Sequence, residues 1–260
     1  MSADGVVRLE IDGQTAHIIF DRPEARNAMT WAMYGQLAGA IEELERQPTG
    51  VRVVVLRGTG GTFVSGTDIA QFSDFTTGDD GVTYERRLES ILGRLEALPL
   101  PTIAAVEGHA TGAGLILAAV CDIRICAAGA RFGAPIARTV GNSLSIANHA
   151  RLVAQLGPSR TKALLMTGGF MTADDAKTAG FVLEIVRAEA MLSRLTELAI
   201  AVASLAPITV RATKAAVAAV LAGQGPAGGE EIVREAYASR DFREGVTAFL
   251  EKRSPRWEGR

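Results

Sequence analysis

The residues with the clearest chemical meaning are Glu107-Gly108-His109-Ala110-Thr111-Gly112-Ala113-Gly114. They follow one apolar run and lead into another that ends at Ala119-Val120-Cys121-Asp122. A strand that turns through small residues into a helix leaves the first backbone N–H groups of the helix without partners. The helix dipole adds partial positive charge at the same end. A second segment, Phe63-Val64-Ser65-Gly66-Thr67-Asp68-Ile69, is placed to supply another N–H. Two such donors suit the stabilisation of an oxyanion formed from a carbonyl or a thioester.

Other chemistries find less support. Ser65 beside a glycine lacks the nucleophile-elbow spacing and partnered histidine of a serine hydrolase. Gly58-Thr59-Gly60-Gly61 has no helix directly after it, so it is not a dinucleotide fingerprint. Three histidines (His17, His109, His149) and two cysteines (Cys121, Cys126) show no zinc spacing, and no metal is expected. The cysteines fall on opposite faces of a predicted strand, which disfavours a disulfide between them. His109 and His149 read as packed or surface residues rather than bases, and Asp68 as the cap of a short turn.

A net charge of −2 gives no general attraction to nucleic acid or anionic membrane. Asp4, Arg8 and Glu10 stand where a signal peptide would be apolar, and Glu107 and His109 interrupt the run from Ile103 to Val120. The expectation is a cytoplasmic protein without a membrane span.

The pattern of elements places these segments. Val6–Ile11 and Ala16–Phe20 predict a hairpin across Asp12-Gly13-Gln14. Thr30 caps a predicted helix carrying Met33, Leu37, Ile41 and Leu44. Val51–Leu56 and Thr102–Val106 read as strands covered on both faces. Gln71–Val82 reads as a polar, mobile connection, and Tyr84–Leu98 as a helix ended by Pro99 and Pro101. Asp122–Cys126 predicts a strand, Arg131–Ser145 an irregular stretch, and Val182–Val186 a further strand. Helices are expected over Ile146–Leu156, Ser159–Thr167, Ala173–Thr178, Glu189–Ser204 and Pro207–Leu221. A glycine-rich break at Gly223–Gly229 precedes a last helical region with Phe242, Val246, Phe249 and Leu250. Strand and helix alternate early and helices dominate late, which indicates an α/β fold with a helical C-terminal region.

Taken in order, the segments resemble the crotonase superfamily, the enoyl-CoA hydratase/isomerase family. The resemblance rests on Asp21-Arg22-Pro23 with Arg26-Asn27-Ala28-Met29, on the two donor segments, and on Ala130-Arg131-Phe132-Gly133. Gly180-Phe181-Val182 and Ala248-Phe249-Leu250-Glu251-Lys252-Arg253 complete it. It implies a ClpP/crotonase-like spiral of ββα units over residues 1–203, with residues 204–260 as a helical region for oligomerisation and CoA contacts. It also implies an acyl-CoA thioester substrate in fatty acid metabolism, no cofactor beyond that CoA, and a homotrimer or hexamer.

By matching positions, the N–H groups of Thr67 and Ala113 would polarise the thioester carbonyl, with Gly112 beside them. The family places glycine where Ala113 stands, which backbone donation tolerates if φ is negative there. Ala25 and Arg26 would lie by the adenine and phosphates, and Val64, Gly66, Asp68 and Ile69 along the pantetheine path. Phe249 and Lys252 would reach the nucleotide end, often from a neighbouring subunit.

The sequence departs from the hydratase pattern at the two usual glutamates, which are Ile116 and Ile136 here. An aliphatic side chain cannot carry a proton, and a positioned acid or base contributes roughly 10²–10⁴-fold in rate. On the loop Arg138–Ser145, Asn142 and Ser143 are candidates to face the acyl group, serving either the loop or the reaction. Glu85 and Asp74 are reserve proton carriers. Isomerase, hydrolase and decarboxylase chemistry, and a non-catalytic acyl-CoA binder, stay as alternatives.

Overall fold

The computed structural model describes residues 4–46, 50–225 and 229–260. Its frame is a six-stranded sheet. Strands β1 (Val6–Asp12) and β2 (Thr15–Asp21) form the expected antiparallel hairpin, with Asp12 opposite Thr15. Strands β3 (Val53–Gly58), β4 (Thr102–Val106), β6 (Ile123–Ala127) and β9 (Glu184–Val186) continue it in parallel, in the order β1-β2-β3-β4-β6-β9. A second sheet joins β5 (His109–Thr111), β7 (Arg131–Gly133) and β8 (Phe170–Thr172).

Side chains alternate across the central strands, so an unbroken apolar run is buried on both faces. Val54, Leu56, Ala104 and Val106 belong to the main core, which includes residues of helices α1 (Trp31–Glu45), α2 (Gly78–Ala97) and α3 (Ala113–Val120). Val53, Val55, Ile103 and Ala105 form a second core with Met191, Leu195 and Leu198 of helix α6 (Met191–Ala203). Both cysteines are free and buried, and burial pushes each thiol up to about 12.

Helix α1 starts where expected, with the Thr30 side chain accepting from the Met33 N–H. Helix α2 starts earlier than expected, at Gly78 rather than Tyr84, and takes in part of the supposed mobile connection. The Asp80 carboxylate accepts from Thr77 N (2.7 Å) and Thr76 N (2.9 Å), so a polar cap opens the helix ahead of its first buried residue, Leu88. The stretch expected to be irregular carries β7 and a 3-10 turn at Pro135–Ala137. Three-residue strands leave too little alternation to be read in advance.

Helix α4 (Ile146–Thr167) is interrupted at Gly157, with φ 74 and ψ 162, before Pro158, matching the expected boundary. Helices α5 (Ala173–Thr178), α7 (Pro207–Leu221), α8 (Glu230–Ala238) and α9 (Arg240–Leu250) complete the chain. Residues 226–228 of the expected glycine-rich break lie outside the described residues. No single helix among the described residues is long and apolar enough to cross a membrane.

Candidate active site

Backbone pairing fixes the two donor segments against each other. Val64 N donates to His109 O (3.1 Å) and Thr111 N donates to Val64 O (3.0 Å), a parallel bridge between Val64 and Ala110. Gly112 then turns the chain into α3 with φ 54, a conformation that glycine adopts without strain. Gly114 is held to its identity by contact, because a Cβ there would stand 1.9 Å from Val64 O. Ala113, the first residue of α3, is buried and its φ is not positive.

Thr67 is held by a similar bridge. Met29 N donates to Gly66 O (2.8 Å) and Asp68 N donates to Met29 O (2.9 Å). In such parallel pairing, the residue between the two bonds turns its own N–H and C=O away from the partner strand. Among the described residues, neither Thr67 N–H nor Ala113 N–H has a hydrogen-bond acceptor. Backbone donors are normally paired, so two unpaired ones on cross-linked segments form a candidate anion seat.

A buried asparagine organises the approach to this seat. Asn27 is fully buried at φ 56, its Oδ1 accepting from Arg22 N and its Nδ2 donating to Thr59 O, Thr62 O and Phe63 O. That set ties the Arg22–Met29 turn to the loop before the first donor segment. Asp68 caps the 3-10 turn Ile69–Phe72 through Ala70 N, and its hydrogen bond with Arg22 holds its carboxyl below the ordinary range.

The side chain of Thr67 belongs to a network that its sequence neighbourhood did not disclose. Its Oγ1 lies 2.7 Å from the hydroxyls of both Tyr34 and Tyr84. Burial pushes Tyr34 well above the usual phenol range and raises Tyr84 as well, so both stay neutral. Tyr84 also lines an apolar cavity of about 840 Å³ between α2 and the loop before α4. Phe72, Phe75, Val82, Leu144 and Ile146 supply apolar wall, and Glu85, Asn142 and Ser143 supply polar groups. A volume near this size suits a small organic ligand.

The expected residues therefore separate into groups. Thr67 and Ala113 stand on the donor segments, with Val64, Gly66 and Gly112 forming their backbone. Ala25 and Arg26 lie against the first segment, where Ser65 N donates to Arg26 O (3.1 Å) and Ser65 Oγ to Ala25 O (3.3 Å). Asn142 and Ser143 are exposed residues on the cavity. Ile69 is exposed, Ile136 is partly covered, and Ile116 is fully buried in the main core. Phe249, near the end of α9, is 83% exposed, and Lys252 follows it at φ 54.

His109 packs edge-on to Phe170, and His149 Nδ1 lies 2.9 Å from Ser145 O. Among the described residues, no three His, Cys, Asp or Glu side chains gather to hold a metal.

The mainly parallel sheet, the second small sheet and the buried helix α3 define a crotonase-fold protein. A crystal structure of an enoyl-CoA hydratase/carnithine racemase from Magnetospirillum magneticum superposes with a TM-score of 0.91, at 30% identity, over 98% of this chain and 96% of that one. The profile of the Enoyl-CoA hydratase/isomerase family matches residues 10–260. A probable enoyl-CoA hydratase of Mycobacterium tuberculosis is 30% identical over 98% of both chains. The 2,3-dehydroadipyl-CoA hydratase of Escherichia coli is 31% identical over 94% of both. The chain belongs to the enoyl-CoA hydratase/isomerase family and is an enzyme of that type.

Proposed function

We propose that the enzyme acts on an acyl-CoA thioester by stabilising its enolate, with the amides of Thr67 and Ala113 as the oxyanion donors. One observation carries this reading: both N–H groups lack acceptors among the described residues while their segments are bridged to one another. Loss of a proton beside the carbonyl moves charge onto the thioester oxygen. Fixed donors aimed there cost no reorganisation, and one donor is worth about 3–4 kcal/mol of barrier.

Ala25 and Arg26, together with Val64, Gly66, Asp68 and Ile69, suit the CoA path along the first segment. Phe249 and the Lys252 ammonium suit its nucleotide end, in the same subunit or a neighbour. Exposed apolar residues on the late helices, including Ile200, Val220, Leu221 and Leu250, support assembly as a homotrimer or hexamer.

Hydration is the reaction named for the relatives above. Hydration by the usual pair of carboxylates is unavailable here, because Ile116 and Ile136 have no group that carries a proton. Crotonyl-CoA hydration is therefore expected to be slow, and isomerisation or another enolate reaction to be favoured. Incubation with enoyl-, acyl- and malonyl-CoA esters in D2O, followed by chromatographic separation of isomers and mass spectrometry, tests this. Deuterium uptake, a shifted double bond or decarboxylation supports an enolate enzyme, free CoA alone would support a hydrolase, and esters retained unchanged would support a non-catalytic binder.

A further inference from the structure

We propose that Glu85 is the proton-transferring group of the acyl cavity, a reading that rests on the enolate function above. Glu85 projects from α2 onto the cavity wall, next to Tyr84, whose hydroxyl meets Thr67. Its Oε2 accepts from Ser145 N at 2.7 Å and from Asn148 Nδ2 at 3.4 Å. Both bonds fall on Oε2, with the Ser145 hydroxyl also beside the carboxylate, and neither reaches Oε1. One oxygen is thus anchored to the start of α4 while the other is left for a ligand.

The neighbouring carboxylates are differently placed. Glu89 also lines the cavity, but both its oxygens bind Arg151, at 2.5 and 2.7 Å. Asp74 is exposed and does not line the cavity. Burial raises the Glu85 carboxyl above its usual range, against the opposing Ser145 N–H, which brings it nearer to the basicity a proton carrier needs. Tyr34 on α1 and Tyr84 and Glu89 on α2 act on it electrostatically, Arg86 shares its cavity wall, and His149 and Arg151 on α4 bond Ser145 and Asn148, the residues that hold it.

The step balances without a co-reactant. Glu85 Oε1 takes a proton from the carbon beside the thioester carbonyl. The C–H electron pair forms the enolate double bond, and the carbonyl π pair moves to the oxygen facing the two amides. The protonated carboxyl exchanges its proton with solvent and then delivers one to the same carbon or, for a 3-enoyl ester, to the γ carbon, moving the double bond into conjugation. One carboxyl is sufficient, because the group that gives the proton is the one that took it.

The test follows deuterium uptake from D2O and double-bond migration in hex-3-enoyl-CoA. Glu85→Gln keeps an oxygen acceptor for Ser145 N but cannot ionise. It should slow both processes by about 10²–10⁴-fold, with ester binding and melting temperature kept. Glu85→Asp should restore part of the rate. The native rate should rise with pH through a group above the ordinary carboxylate range, and that limb should vanish in Glu85→Gln. Native-like exchange in Glu85→Gln, with exchange lost in Ala113→Pro, would overturn the role of Glu85 and leave the enolate reading standing. Absence of exchange in the native enzyme would overturn both, and loss of ester binding in Glu85→Gln would reassign the residue to a structural post.

Discussion

The two donor segments and the apolar cavity beside Tyr84 are built in opposite ways. The donor segments are backbone objects, held by the Val64–Ala110 and Met29–Thr67 bridges and by a helix whose every residue is buried. The cavity is a side-chain object, walled by α2 and by an exposed loop at 140–143. Under the proposed function, charge stabilisation falls to rigid structure and selection of the acyl group to structure that can vary. Substitutions should reveal the contrast, with large effects on the donor side and graded ones in the cavity.

The largest effect is expected for Ala113→Pro. Proline is tolerated at the first position of a helix, so the fold should survive while one donor is lost. Turnover should fall about 10²–10³-fold, measured as deuterium uptake with ester binding checked in parallel. Unchanged turnover would break the contrast at its strongest point. Gly114→Ala follows, because its methyl would meet the Val64 carbonyl; denaturant unfolding should show a loss of about 3 kcal/mol.

Tyr84→Phe removes a hydroxyl that meets Thr67 Oγ1 at the boundary between the two regions. It should cost about 1 kcal/mol, read as a several-fold fall in turnover. Ser143→Ala, on the exposed rim of the cavity, should change turnover with hex-3-enoyl-CoA by less than about threefold, because its hydroxyl donates only to the adjacent Leu144 O. A large loss there would show that the loop takes part in the chemistry.

The same division explains what could be read in advance. The glycine turn and the continuous β-branched strands were legible because each is a local demand of the backbone. Gly114 has no room for a side chain, and the Val53–Gly58 strand is buried on both faces. The Tyr34–Thr67–Tyr84 network was not legible, since it joins residues 33 and 17 positions apart across α1 and α2. The start of α2 was hidden because its cap is polar and its apolar stripe begins later, at Leu88. Glu85 stood out in sequence only as a reserve carrier; its anchoring by Ser145, 60 residues away, distinguishes it from Asp74.

A crystal structure with a bound CoA thioester would bear most directly on the central claim. The carbonyl oxygen should lie about 2.7–3.1 Å from both the Thr67 and the Ala113 nitrogen. An oxygen reached by neither amide, or an ester seated away from the two segments, would contradict it.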